Sequence, residues 1–240
     1  MTIAVLSDIH GNLEAANAVF RDLHAYQPEK VLFLGDAISY GPNPEEAVRL
    51  LEREGALCVL GNHELALVRP WAGRYFNKPT RRHFRRAKAL LSRHSRKHIS
   101  TWPKKRKSGD LLFVHGCPPG SVGTYLFEME DAALAAALRR TDAAIAFVGH
   151  THELEIAELR EGRLERRIPG AGRHRLTGNK AVVNIGSVGQ PRDGDKRAKY
   201  ALFDPRTREA EIRCIAYEAE KTARKIRERG FPEAYAQWLV

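Results

Sequence analysis

The stretch Ile3–Asn12, IAVLSDIHGN, starts as a buried-looking apolar run and stops abruptly at Asp8 and His10. A strand made for a core gains nothing from ending in a carboxylate and an imidazole. In an extended chain residues i and i+2 project to the same side, so the spacing predicts that Asp8 and His10 aim two ligand-type groups at one point. The other reading is a polar strand end without chemistry.

The same ending recurs along the chain. KVLFLGD (30–36) closes on Asp36, ALCVLGNHE (56–64) runs into Asn62 and His63, DLLFVHG (110–116) ends at His115, and AAIAFVGHTHE (143–153) ends at His150 and His152. Helical segments lie between these runs. NLEAANAVFRDLHAY (12–26) repeats apolar residues at Leu13, Ala16, Val19, Phe20 and Leu23. NPEEAVRLLEREG (43–55) carries Pro44 and two acids at its start and Gly55 at its end, which are helix start and stop signals. EDAALAAALRR (130–140) reads as a further helix. This alternation predicts βαβ units and a parallel sheet, whose strand ends face one ligand crevice. Each polar residue alone has a structural explanation: Asp36 as a turn cap, Asn62 as a helix N-cap, Asn12 as the cap of the helix from Leu13. Five such endings in order are harder to explain one by one.

Beyond His152 the rhythm changes. LEIAELREGRLERRIPG (154–170) reads as a hairpin turning at Glu161 and Gly162, and KAVVNIGSVG (180–189), KYALFD (199–204) and AEIRCIAY (210–217) read as antiparallel strands. The tail from Glu218 to Val240 reads as amphipathic helix broken by Gly230 and Pro232. No low-complexity linker interrupts the 240 residues, so the expectation is a single domain over 1–240.

The formal net charge of +11 is local. Fifteen Lys or Arg and no Asp or Glu lie between Arg69 and Lys107, so the remainder of the chain is net acidic. TRRHFRRAKALLSRHSRKH (80–98) predicts one or two helices with a narrow stripe of Phe84, Ala87, Leu90 and Leu91. The segment 69–107 is expected to form a basic helical cap beside the strand ends, attracting a polyanion; a solvated basic face is the alternative. Three scattered Cys without a C-x-x-C pair, no charged leader and no apolar run near the roughly 20 residues of a membrane span suggest a soluble cytoplasmic protein with no membrane partner.

The order D-x-H (8–10), G-D (35–36), G-N-H-E (61–64), H-G (115–116) and G-H-T-H (149–152) resembles the calcineurin-like metallophosphoesterase superfamily. NIGSVGQPRDGD (184–195) is similar to the end strand and loop of its small bacterial and archaeal phosphodiesterase-like branch, some members of which cleave diadenosine tetraphosphate. The resemblance implies an α/β/β/α sandwich with two mixed sheets. It also implies two divalent metal ions, one held by Asp8, His10, Asp36 and His152 and the other by Asp36, Asn62, His115 and His150. A ligand set of N and O without thiolate suits Mn, Fe, Co, Ni or Zn. The implied reaction is in-line attack of a metal-bound hydroxide on phosphorus, with Asp36 and Asn62 in the catalytic centre and His63 as general acid. Asn62, His63 and Arg192 are the expected substrate contacts, Arg192 because a guanidinium matches phosphate bidentately. A solvated loop arginine is the alternative there.

Two departures bear on substrate. Protein-phosphatase and symmetric dinucleotide-hydrolase branches carry G-D-x-x-D-R-G, whereas GDAISYGPNP (35–44) places Tyr40, Gly41 and Pro42 there, which argues against a protein phosphatase. Ile185 stands where related end loops have Pro. The expected substrate is a phosphorylated small molecule, nucleotide-like or a dinucleoside polyphosphate. The alternatives are a nuclease that binds nucleic acid through 69–107, with Tyr75, Phe76, Phe84 and Trp102 stacking on bases, and a non-catalytic scaffold of the same fold. Cys117, close to His115, reads as a buried thiol.

Overall fold

The computed structural model describes residues 2–240. In chain order β1 (Ile3–Leu6), α1 (Leu13–His24), β2 (Lys30–Phe33), α2 (Pro44–Arg53), β3 (Leu57–Cys58) and α3 (Asn62–Val68) form the first half-sandwich. A 3-10 turn (Pro70–Tyr75) leads into α4 (Lys78–Leu90) and α5 (Arg93–Ser100), then β4 (Lys105–Ser108), β5 (Leu111–Val114), α6 (Asp131–Arg139) and β6 (Ile145–Val148). The strands β7 (Leu154–Arg160), β8 (Arg163–Arg167), β9 (Gly172–Arg175), β10 (Lys180–Ile185), β11 (Ala198–Asp204) and β12 (Glu209–Ile215) precede α7 (Ala219–Glu228) and α8 (Glu233–Gln237).

All four residues of β1 are buried because the strand is covered on both faces. Ile3 and Val5 join the core between two sheets, while Ala4 and Leu6 join the core beneath α1 and α2. β6 divides in the same way: Ile145 and Phe147 face the middle, Ala146 and Val148 face Leu134 and Leu138 of α6. This period-two division generates the four layers, helix on sheet on sheet on helix. One six-stranded sheet runs β3-β2-β1-β11-β12-β9 and the other β4-β5-β6-β10-β7-β8. Phe147 stacks on Phe113 at 5.5 Å within its sheet and meets Phe203 of the opposite sheet edge-on at 5.1 Å.

The mixed sheets agree with the expectation, with three corrections. β10 is not purely antiparallel: it pairs parallel with β6 and antiparallel with β7. The end of the basic segment is strand β4, paired antiparallel with β5, so the helical part stops at Ser100. Within α4, Leu90 is exposed while Phe84 and Ala87 pack inward, as does Leu91 just after the helix. β9 had no sequence signal: its residues are polar, and only pairing with β12 makes it a strand. No helix among the described residues is long and apolar enough to cross a membrane.

Candidate active site

The strand ends do converge, but by a different local device from the one expected. β1 ends at Leu6, and Asp8 and His10 follow it in left-handed backbone, with φ of 57° and 47°. Asp36, His150 and His152 share that conformation, at 61°, 69° and 65°. Non-glycine residues rarely adopt it, and backbone held in sparsely populated regions clusters where function requires it. The loops carrying these side chains are hydrogen-bonded to one another: Asp8 N donates to Gly35 O (2.9 Å), His10 N to Asp36 O (2.9 Å) and Gly149 N to His115 O (2.9 Å). Gly61 and Gly149 permit the close packing, since a Cβ at either would collide with the Asp36 or Asp8 carboxylate.

Two clusters of donor atoms result. In the first, His10 Nε2 and His152 Nε2 lie 3.1 Å apart, and Asp8 Oδ1 is 3.2 Å from His152 Nε2 and 3.6 Å from His10 Nε2. In the second, His115 Nε2 lies 3.1 Å from His150 Nδ1 and 3.1 Å from Asn62 Oδ1. Asp36 Oδ2 joins them, 3.7 Å from His10 Nε2 and 3.3 Å from His115 Nε2. The structure thus brings together all seven residues read as ligands.

The tautomers follow from the outer nitrogens. His10 Nδ1 donates to Ile38 O (3.0 Å), His115 Nδ1 to Leu34 O (2.9 Å), His152 Nδ1 to Gln190 O (2.7 Å) and His150 Nε2 to Gly123 O (3.3 Å). In each neutral ring the other nitrogen therefore presents a lone pair to the cluster. Two lone pairs facing each other at 3.1 Å repel unless a cation lies between them. Donors about 2.1 Å from one ion and about 90–110° apart stand about 3.0–3.4 Å from each other, which matches the closest spacings here. Asp8 Oδ1 is buried without a hydrogen-bond partner, as an atom reserved for an ion would be. The donor set fits metal, and three groups could hold it: Asp8, His10 and His152; Asp36, His115 and His150; and His10, Asp36 and His63.

The electrostatics agree. Burial pushes the Asp8 and Asp36 carboxyls up, but the facing histidines, His152 first for Asp8 and His115 first for Asp36, hold both well below the usual carboxylate range. Burial pushes His10 down, and takes His63 to about 4 and His150 to about 3. His115 is the exception: burial lowers it, but Asp36 and Asp8 outweigh that and raise it to about 9. Two buried carboxylates facing the clusters demand positive charge nearby, as a bound cation would supply.

His63 stands between the clusters and open space. Its Nε2 is 3.9 Å from Asp36 Oδ2, its Nδ1 has no partner, and its ring stacks on Phe76 at 4.8 Å. It lines, with Asn62 and Arg192, a cleft of about 730 Å³ walled by Tyr40, Tyr125, Tyr235 and Trp238. Arg192 therefore sits at the rim of the cleft, donating to Gln190 Oε1 (2.8 Å). Asn12 caps α1, accepting from Ala15 N (3.1 Å), and also donates to Gly189 O (2.9 Å). Cys117 is buried beside Leu112 and Leu126, and burial pushes its thiol up to about 12.

The basic segment brings little of its charge to this cleft, although Lys104 lines an adjoining cavity that reaches His150. None of its fifteen cations lines the 730 Å³ cleft; the segment contributes Tyr75, Phe76, Asn77, Pro79 and Thr80 instead. Arg81 donates to Phe76 O, Arg86 to Gly230 O, Arg96 to Lys88 O and Arg106 to Cys58 O, so these guanidiniums brace the chain's own backbone. Phe84 and Trp102, read as base-stacking candidates, are core residues. The sequence reading also passed over Glu64, whose carboxylate accepts from Asp36 N (2.7 Å), Gly61 N (3.1 Å) and Ile38 N (3.2 Å). Burial and then the Asp36 charge push Glu64 up to about 8. Its signal was present: G-N-H-E has the spacing of a helix capping box with Glu at the third position.

Residues 1–208 match the family model described as the calcineurin-like phosphoesterase superfamily domain. The protein MJ0912 of Methanocaldococcus jannaschii is 34% identical over 99% of this chain and 95% of its own length. The symmetrical bis(5'-nucleosyl)-tetraphosphatase of Pseudomonas syringae is 35% identical over 72 residues, 28% of this chain and 24% of that protein. The crystal structure of a metallophosphoesterase from Sphaerobacter thermophilus superposes with a TM-score of 0.86 at 31% identity, covering 100% of this chain and 98% of the other. With the donor clusters in place at the strand ends and the family model spanning the sandwich, the chain belongs to the calcineurin-like phosphoesterase superfamily and is a metal-dependent phosphoester hydrolase.

Proposed function

We propose that the chain hydrolyses a nucleotide-type phosphoester, with a dinucleoside polyphosphate as first choice, using two divalent cations that share Asp36. The observation carrying this reading is the position of Asp36 Oδ2 between two donor clusters at the base of an aromatic cleft. Asp8, His10, Asp36 and His152 would hold one ion, and Asp36, Asn62, His115 and His150 the other. Manganese, iron, zinc, cobalt and nickel all suit an N/O donor set of this kind. When bound, the cations supply Lewis acidity toward phosphoryl oxygens and a water acidic enough to attack near neutral pH.

The chain's own residues do the rest. Asp36 is held in place because Oδ1 accepts from His63 N (3.0 Å), which leaves Oδ2 facing His10 and His115, where it would help to hold the cations. Asn62 and Arg192, both on the wall of the cleft, orient the phosphoryl oxygens. Water gives one proton to solvent and its oxygen bonds to phosphorus opposite the leaving group, the bond from phosphorus to the leaving oxygen breaks, and His63 passes to that oxygen a proton that it regains from solvent. Burial disfavours that proton on His63 in the empty cleft, so the substrate's own negative charge is what stabilises it there. Phe76, stacked on the ring, shields it from bulk water.

The similarity to a segment of a dinucleoside tetraphosphatase and the aromatic walls support nucleotide over protein substrates. The nuclease reading is the weaker one, because no cation of 69–107 lines the 730 Å³ cleft and Arg81, Arg86, Arg96 and Arg106 donate to the chain's own carbonyls. One domain, with 69–107 contributing a rim to the cleft, is the organisation that suits this reading. The test is a panel of p-nitrophenyl esters, dinucleoside polyphosphates and short oligonucleotides across several divalent ions. Fastest turnover of a dinucleoside polyphosphate with weak salt dependence supports the proposal; preferred, salt-sensitive cleavage of oligonucleotides replaces it with the nuclease.

A further inference from the structure

The 730 Å³ cleft is one of a pair. A second cavity of about 500 Å³ shares Asn62, Tyr75, Phe76 and Tyr125 with it and reaches the donor clusters at His150. The two lobes thus meet over the metal-ligating residues and diverge from there. Each has a tryptophan on its wall, Trp238 in the first and Trp71 in the second. Trp238 is 47% and Trp71 52% exposed, whereas Trp102 is buried against Phe33. Each exposed ring has an arginine beside it: Arg192 lies 5.9 Å from the Trp238 ring, and Arg74 5.7 Å from Trp71 and 5.3 Å from Tyr75. Lys104 adds a positive charge to the second lobe.

Each ring meets one tyrosine, Trp238 meeting Tyr235 at 5.2 Å and Trp71 meeting Tyr75 at 6.5 Å, yet about half of each stays in water, and such rings on cavity walls beside cations call for flat, anionic ligands. We propose that Trp71 and Trp238 are stacking platforms for two aromatic groups, one per lobe, that flank a single phosphorus centred over the donor clusters. The preferred substrate is then a two-armed phosphoester, each arm ending in a base-sized ring, and a one-armed ester fills one lobe. This rests on the hydrolytic reading of the clusters. The two platforms come from separate places in the chain, a 3-10 turn after α3 and the residue following α8, which lies beyond the family-matched residues 1–208.

The experiment compares the wild type with Trp71→Ala, Trp238→Ala and the double variant on diadenosine tetraphosphate and on p-nitrophenyl phosphate, with manganese. Losing a base–aromatic stack raises KM for the two-armed substrate by about tenfold or more per variant, with kcat little changed, and the double variant multiplies the two effects. Trp71→Phe and Trp238→Phe restore most of the affinity. The one-ring ester responds to one variant and not to both. Hydrolysis of diadenosine tetraphosphate with KM within twofold of wild type in both alanine variants overturns the proposal and leaves the hydrolytic reading standing. Should no phosphoester be turned over with any divalent ion, that reading fails, and quenching of tryptophan emission by AMP decides the platforms on its own. Quenching that falls stepwise in the two phenylalanine variants supports them; absence of quenching at millimolar AMP removes them.

Discussion

At the floor of the cleft, side chains are buried, Asp8, His10, Asp36, His150 and His152 sit on left-handed backbone, and four histidine rings are tied through their outer nitrogens to carbonyls of Leu34, Ile38, Gly123 and Gln190. At the rim, Trp71, Tyr75 and Trp238 stand in water on a 3-10 turn and at the end of the last helix. The floor is built so that nothing moves when an ion arrives, because metal geometry tolerates little error. The rim is built to accept a shape, with broad rings whose contact area does not depend on exact placement. The lesson is a division of labour that kinetics can read: floor variants should change turnover or metal content, and rim variants should change KM.

The largest effect is expected from Asp36→Asn. It removes the charge shared by both clusters, so turnover should fall to background and metal content after dialysis should drop; an active Asp36→Asn enzyme would dissolve the contrast between floor and rim. His63→Ala should lower kcat by about 10²- to 10⁴-fold while metal content is retained, as measured by initial rates and elemental analysis. Loss of an ion in that variant would move His63 from acid to ligand, a role its closeness to His10 and Asp36 also allows. Glu64→Gln keeps one oxygen for Asp36 N and Gly61 N but turns an amide NH2 toward Ile38 N, a donor facing a donor, and should cost about 10- to 100-fold in metal affinity or kcat without touching KM. A change in KM alone would place Glu64 with the rim.

The smallest effect sharpens the comparison from outside both regions. Asp22 accepts from Arg213 (2.7 and 2.9 Å) and from the Tyr200 hydroxyl (2.7 Å) on the outer face of a sheet. The Arg213 hydrogen bonds, opposed by burial and assisted by Tyr200, hold its carboxyl below the ordinary value. A depressed folded-state value means that the stabilisation is complete above the unfolded carboxylate value near about pH 4 and is lost as pH falls through the folded one. Asp22→Asn should therefore lower unfolding free energy by about 1 kcal/mol at neutral pH, with the difference shrinking in acid, and leave kcat and KM unchanged.

The floor was legible because its information is local. Each donor directly follows an apolar run, and α/β topology gathers strand ends whatever the intervening segments do. α2 was legible from Pro44, its two acids and Gly55, and the hairpin from Glu161 and Gly162. Less of the rest was. β4 (KRKS) and β9 (GRHR) lack any apolar alternation and exist through a neighbour's backbone, Lys105–Ser108 on β5 and Gly172–Arg175 on β12. The charge of 69–107 suggested a polyanion track, yet whether a cation faces a cleft or a carbonyl is set by docking and not by its count. Trp71 and Trp102 look alike in sequence, and packing alone makes one a wall and the other core.

By itself, then, the sequence determined which groups could bind metal and that five strand ends would present them, since residue chemistry and strand period are properties of short stretches. Only the tertiary structure decided what surrounds them. The cleft is walled where Arg86 reaches Gly230 and His83 packs on Tyr235, contacts between segments some 150 residues apart that no local pattern encodes. The physical reason is that donor identity is carried by covalent structure, whereas a wall exists only once distant apolar surfaces have been driven together out of water.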